Sequence, residues 1–202
     1  MPLPGKKRRY HHGDLPTALI DTAIELIDEK GVASFSLAEA SRRLGVTVAA
    51  PYRHFADRDE LLAAVAARAA REAAVAIRAE SGTEDAPAEQ LAGLARGYVR
   101  FAVTKRALFQ ALFGAGLDKP KYPDLAAAAE QVASTAFPPA IELCGGDKAA
   151  GADLAMTVGA VAHGFAMFLL DGEFGTGDGM VDKVAGQASQ AVHDLIRGRL
   201  SR

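Results

Sequence analysis

Between Thr47 and His54 the chain reads TVAAPYRH, which sets a hydroxyl, small apolar groups, a phenol, a guanidinium and an imidazole within two helical turns. Groups of these kinds can meet phosphate oxygens and base edges. Their use depends on a support that presents them together. Immediately before them, Ser36 is followed three residues later by Glu39, a capping-box spacing, and Leu37, Ala40 and Leu44 recur at helical intervals. Gly45 can leave that helix with positive φ, and Thr47 can cap a second helix over Val48–His54. Two short helices joined so tightly read as a helix-turn-helix, in which the first braces against the DNA backbone and the second enters the major groove. A helical hairpin with no DNA role has the same spacing, so the reading needs support elsewhere in the chain.

That support begins upstream. Leu15, Leu19, Ala23, Leu26 and Ile27 form the apolar stripe of a preceding helix, with Asp14 at its start and Gly31 at its end. Phe35 and Leu37 flank the capping Ser36 and place apolar bulk between that helix and the next. Downstream, Asp57 and Glu60 repeat the capping-box spacing, and Leu61, Leu62, Val65, Ala69, Ala73 and Ile77 carry a stripe to about Arg78. This fourth helix, about 30 Å long, exceeds what a three-helix head requires. It can join the head to the rest of the chain. Pro51 lacks an amide donor, which predicts a second hairpin helix that is short, distorted or tightened near its start.

The chain has 202 residues, half of them hydrophobic, with abundant alanine and no tryptophan. No sustained period-two alternation competes with the helical patterns, so the class is all-α. The net charge of −2 gives no global positive field, and DNA binding must come from a local face and an arm. Lys6, Lys7, Arg8 and Arg9 lie in residues 1–13, a segment with two prolines and two glycines and no periodicity. A basic arm of this kind can follow phosphates or enter the adjacent minor groove; a solvated tail is the alternative. His11 and His12 lack a third partner for a metal, and no cofactor is implied. The single Cys144 excludes an intrachain disulfide and fits a reducing compartment.

After a linker over Glu80–Ala88, helices are expected at about 88–103 and 105–113. A longer one is expected from Pro123 towards Leu143, bent or divided at Pro138 and Pro139. Two substantial helices follow, at about 149–170 and 180–200. The loop between them, DGEFGTGDG, lacks the donor spacing and final glutamate of a calcium-binding EF-hand loop and reads as a surface loop. The apolar stretch Leu154–Leu170 is interrupted by His163 and slightly short for a membrane span, which predicts an interior helix of a cytoplasmic protein with no membrane partner.

The segment from Tyr10 to about Ala67, YHHGDLPTALIDTAIELIDEKGVASFSLAEASRRLGVTVAAPYRHFADRDELLAAVA, resembles the DNA-binding domain of the tetracycline-repressor (TetR/AcrR) family of bacterial transcription regulators. The resemblance covers a third of the chain. It implies that Thr47, Val48, Ala49, Tyr52, Arg53 and His54 lie at or near DNA. Thr47 can cap the helix and meet a phosphate, and Ala49 can touch a thymine methyl. Tyr52 suits a phosphate contact, and Arg53 or His54 a backbone or base contact. Arg58 stands where the family commonly has lysine, near a helix N-terminus able to meet a phosphate. Arg42 and Arg43 can touch the backbone from the bracing helix, whereas Phe55 and Leu44 belong to the core.

Farther on, VAHGFAMFLLDG, Val161–Gly172, resembles the Trp-His-Gly-containing helix of one subclass of the family's C-terminal domains, with Ala162 in the tryptophan position. Tyr98, Phe101, Phe109, Phe113, Phe137, Met156, His163 and Met167, with Phe165 and Phe168, are ordinary core or, as a group, the lining of a pocket for a small hydrophobic effector. His163 is the best polar candidate among them. The family implies a homodimer built by the helices near 149–170 and 180–200. Their apolar stripes are Leu154, Val158, Val161, Phe165 and Leu169 on one, and Val181, Val184, Ala188, Val192 and Leu195 on the other.

The expected architecture is thus a basic arm (1–13), a three-helix DNA-binding head with a helix-turn-helix (14–56), a long connecting helix (57–79) and a larger helical domain for effector binding and dimerisation (80–202). The expected function is that of a ligand-responsive regulator of transcription, a repressor, reading a palindromic double-stranded operator as a homodimer. The alternative is a small-molecule-binding or enzymatic helical protein, or a helical interaction protein, with an unused head. No nucleophile motif surrounds Cys144 or His163 and no glycine-rich phosphate loop follows a strand, so an enzyme is not expected.

Overall fold

A computed structural model describes residues 15–82 and 86–200. The expected arm, with Lys6, Lys7, Arg8 and Arg9, lies outside the described residues, as do Asp14 and positions 83–85 of the linker. The described chain is all-α, an N-terminal set of helix-turn-helix-like elements joined by one long helix to a larger helical domain.

Helix α1 spans Leu15–Lys30 and α2 spans Leu37–Leu44. Gly31, at φ 78°, ends the first. The Ser36 hydroxyl accepts from the Glu39 amide at 3.3 Å, so the N-cap forms. Its reciprocal half does not, because the Glu39 carboxylate pairs with Lys30 on α1 instead. Gly45, at φ 70°, donates to Arg42 while Val46 donates to Ser41, which closes α2 in the left-handed turn that glycine permits.

Helix α3, Arg58–Ser81, is the connector, and its 24 residues span about 36 Å. Asp57 caps it by accepting from the Glu60 amide at 2.8 Å. Its first turns, through Leu61, Leu62 and Val65, pack with Leu19, Leu26 and Ile27 of α1 and with Phe35, Leu37 and Phe55, all buried. Full burial of each such side chain contributes about 1.5–3 kcal/mol to holding the head on the connecting helix. Arg68 on α3 pairs with Asp21 on α1 and with Glu72, which also meets Lys105 at 3.4 Å.

The larger domain comprises α4 (Pro87–Thr104), α5 (Arg106–Phe113), α6 (Pro123–Ala133), α7 (Phe137–Leu143), α8 (Lys148–Leu170) and α9 (Met180–Leu200). The long helix expected towards Leu143 is two helices. Pro138 and Pro139 sit in the first turn of α7, where their missing amides cost nothing. Helix α4 packs on α3, α8 and α9, and α5 reaches back to α1. Gly93 and Gly97 let α4 cross the end of α3 backbone to backbone: a Cβ on Gly93 would lie 2.3 Å from the Glu80 carbonyl oxygen, and one on Gly97 2.8 Å from the Ile77 Cα. Arg96 and Arg100 of α4 then tie Glu80 of α3 to Ser189 and Asp182 of α9.

The stripes expected to meet a second subunit are largely turned inward within one chain. Leu154 and Val158 of α8 and Val184, Ala188 and Val192 of α9 are fully or almost fully buried, while Val161, Phe165, Leu169 and Leu195 are half-buried against the same core. The reason is that α4 lies against both helices. What α8 leaves uncovered is a different face, with Met156 68% and Phe168 58% exposed and Met167 beside them. By length and composition α8 also passes for a membrane-spanning helix, with a mean hydropathy of 1.6.

Candidate functional site

The segment expected as a helix over Val48–His54 is instead a turn followed by a single 3₁₀ turn, Pro51–Arg53. The cause is local. An α-helix starting at Thr47 would need the amide of residue 51 to bond the Thr47 carbonyl, and Pro51 has none, so that carbonyl accepts from Ala50 at 3.0 Å. Further bonds from Arg53 to Ala50 and from His54 to Pro51 keep the tighter pitch. The Thr47 side chain makes no cap hydrogen bond among the described residues.

Pro51 and Phe55 anchor the segment in the head core, and between and before them Thr47, Val48, Ala49, Tyr52, Arg53 and His54 face outward as one patch. Val48 is 51% and Tyr52 54% exposed, values that core side chains of their size do not reach. An uncovered valine and tyrosine beside a guanidinium and an imidazole form a surface suited to a groove rather than to water.

The three flanking arginines are placed differently from one another. Arg42 stays exposed, with its Nε on the Ala38 carbonyl at 3.3 Å. Arg43 is held in a fork by Glu29 of α1 at 2.6 and 2.7 Å, and this pairing keeps the Glu29 carboxyl below its ordinary pKa. Arg58 turns inward: it donates to the Phe35 carbonyl at 3.0 Å and the Val32 carbonyl at 2.6 Å, meets Asp59 at 3.1 Å, and lies over the Phe35 ring. Sequence spacing gave no sign of this clamp, since its partners are backbone atoms more than twenty residues away. Replacing Arg58 with methionine leaves two half-buried carbonyls without donors. We expect a loss of about 2 kcal/mol in denaturant unfolding, with the lysine variant recovering part of it.

A second feature lies in the larger domain, a cavity of about 460 Å³ bounded by α3, α4, α5, α6, α7 and α8. Of the expected lining, Tyr98, Phe113, Phe137, Met156 and His163 are present. Phe101, Phe109 and Met167 are not. Phe101 and Phe109 are buried behind the wall, where Phe109 stacks on His163 with ring centroids 5.7 Å apart, and Met167 faces outward on α8. Residues outside the expected lining complete the wall: Ala70 and Ile77 of the connecting helix, alanines of α6, Thr135, and Lys119 on a 3₁₀ turn, Lys119–Lys121.

The polar groups of this cavity form a short chain. The Tyr98 hydroxyl and His163 Nδ1 are 2.8 Å apart. Burial pushes the Tyr98 phenol well above its ordinary pKa and the His163 imidazole below its own, so both are neutral at pH 7. Phe113 packs against His163 with ring centroids 5.2 Å apart and also carries the Lys119 ammonium, 5.8 Å from its ring centroid. Among the described residues no group of three or more His, Cys, Asp or Glu is placed to hold a metal ion.

Comparison with known proteins covers both the head and the larger domain. The solved structure of a protein of unknown function from Rhodococcus sp. RHA1 superposes with a TM-score of 0.74 at 26% identity, over 93% of this chain and 98% of that one. A regulatory protein of the tetR family from Rhodococcus RHA1 gives 0.68 at 15% identity, covering 90% and 96%. PfmR, a TetR family transcriptional regulator from Thermus thermophilus, gives 0.62 at 20% identity, covering 88% and 96%. No curated protein matches the chain. Residues 19–65 match the family described as bacterial regulatory proteins, tetR family, and residues 91–192, half of the chain, match the tetracyclin repressor-like C-terminal domain. A head with an outward Thr47–His54 patch and a helical body that matches over its own length thus have one explanation: the chain belongs to the tetR family of bacterial regulatory proteins.

Proposed function

We propose that this DNA-binding regulator is a cytoplasmic, homodimeric repressor that reads an inverted-repeat operator and is released by a small hydrophobic effector. The observation that carries the reading is that the connecting helix belongs to both features. Its first turns are the floor of the head core, and its Ala70 and Ile77 are part of the cavity wall. A molecule seated in the cavity presses on the same rigid helix that aims Tyr52 and Arg53. Effector and operator therefore favour different placements of α3, and each lowers the affinity for the other.

The boundaries that go with this reading are a basic arm over 1–13, a head over 14–56, a connector over 57–79 and an effector-binding and dimerisation part over 80–202. The DNA face consists of Thr47, Val48, Ala49, Tyr52, Arg53 and His54, with Arg42 beside it and the arm's Lys6, Lys7, Arg8 and Arg9 on the phosphates. Dimerisation uses α8 and α9 through the uncovered face with Met156, Met167 and Phe168. The body is assigned to the subclass whose eighth helix carries Trp-His-Gly, with Ala162 for the tryptophan. Ala162 is fully buried, so no indole-sized gap opens there.

Selection of random-sequence duplexes with the purified protein tests this. An inverted repeat is expected, bound by two chains. Recovery of no sequence preference at physiological salt refutes the regulator in this form.

A further prediction arises from the Glu29–Arg43 fork. With Glu29 changed to glutamine, Arg43 is released towards the phosphate backbone from both subunits. Duplex affinity is expected to rise several-fold at low salt, with the log–log salt slope steeper by about 1–2, as read by fluorescence anisotropy. An unchanged slope places Arg43 away from the phosphates.

A further inference from the structure

The cavity differs from a plain apolar hole in the sign of its polar groups. Its wall holds one formal charge, the Lys119 ammonium, and no carboxylate. Lys119 is exposed and forms no ion pair among the described residues; its ammonium rests on the face of Phe113. Elsewhere in the larger domain the cationic side chains of α4 are matched by acidic ones, Arg96 by Glu80 and Glu89 and Arg100 by Glu80 and Asp182.

The second polar group is His163. The buried Tyr98 hydroxyl meets no other acceptor among the described residues, so it donates to Nδ1, and the neutral ring then carries its proton on Nε2. Next to Phe113 the wall thus offers an N–H donor and a positive charge. The rest is apolar, with small alanines along α6 leaving the room. A ligand that satisfies such a wall has an apolar body and one anionic, acceptor-only end. A neutral hydrocarbon makes no use of the ammonium, and an amine meets it with like charge.

We infer that the effector is a hydrophobic carboxylate, its carboxyl group held by Lys119 and His163 at the Phe113 wall and its apolar part lying along α6. This rests on the reading of the cavity as the effector site. A volume of about 460 Å³ falls within the range of sites for molecules of this kind.

The experiment uses the full-length protein and three probes of matched length, decanoate, 1-decanol and decylamine, in calorimetric titration at about pH 7.5. Decanoate is expected to bind at least tenfold tighter than decanol, and decylamine more weakly than either. The exposed Lys119 is changed to glutamine, which is expected to reduce the preference for decanoate over decanol to less than threefold while leaving decanol binding unaltered. Lys119→Glu is expected to reverse the order in favour of decylamine. Thermal melting of each variant without ligand reports that the fold is kept. Equal binding of decanoate and decanol to the wild type, or a preference that survives both substitutions, overturns the carboxylate assignment while leaving an apolar effector site in place. Failure of all three probes to bind removes the effector cavity itself and the carboxylate with it.

Discussion

Changing Tyr52 and Arg53 together to alanine is expected to lower affinity for the selected inverted repeat by at least about 100-fold at physiological salt, with no loss of thermal stability. Tyr52 is more than half exposed and Arg53 is exposed beside it, and neither side chain forms a hydrogen bond among the described residues. The head core therefore does not depend on them. Each contact to a base or phosphate is worth about 1–3 kcal/mol, and a symmetric dimer loses each of them twice. Four lost contacts at about 1 kcal/mol amount to nearly three decades before any compensation, so 100-fold is the lower bound. Anisotropy with labelled operator reads the loss, and non-specific duplex distinguishes the two side chains. Tyr52→Phe alone isolates the hydroxyl and should cost about tenfold. A double variant that binds within threefold of the wild type would show that Thr47–His54 does not face DNA.

The largest stability effect is expected at Gly93. A methyl group there would be placed 2.3 Å from the Glu80 carbonyl oxygen and 2.7 Å from the Ser81 Cα, both backbone atoms of α3 that cannot swing aside. Accommodation requires α4 to move away from the connecting helix. That shift disturbs the buried contacts of Ile77, Leu91 and Leu94 and the arginine ties to Glu80. Overpacking of this kind costs about 3 kcal/mol, a fall of about 6–12 °C in melting temperature for a chain of this length. Gly198→Ala in the last turn of α9, where the added Cβ meets nothing within 4 Å, is the matched control and should leave the melting temperature within about 3 °C. Because the Gly93 crossing also fixes where α3 leaves the cavity, Gly93→Ala should weaken operator binding even below its melting range. A variant as stable as the wild type would mean that the two helices cross less closely.

Some features of this protein are written in single residues and their near neighbours, and these were legible in the sequence. The start of α2 at Ser36, its end at Gly45, the cap of α3 at Asp57 and the division just ahead of Pro138 and Pro139 all depend on interactions spanning a few positions. Helical periodicity likewise marked Leu19, Leu26 and Ile27 as one face, because a stripe repeating at 3.6 residues can be buried in only one way. The distortion at Pro51 was also readable, since a missing amide is a property of the residue itself.

Whatever depends on two distant segments meeting was decided by packing alone. Periodicity could mark the stripes of α8 and α9 as apolar but could not say whether a neighbour in the same chain or a second subunit covers them, and α4 took that place. Arg58 reads as an exposed cation until the backbone carbonyls of Val32 and Phe35 come to meet it. Lys119 is one lysine among prolines in a loop, and only the fold brings it over Phe113 at the wall of a cavity shared with His163. Local chemistry set the elements and the outward Thr47–His54 patch. The surroundings of Lys119 and Arg58 were set by tertiary contact, because the energy of an ion or a carbonyl depends on what surrounds it and not on its place along the chain.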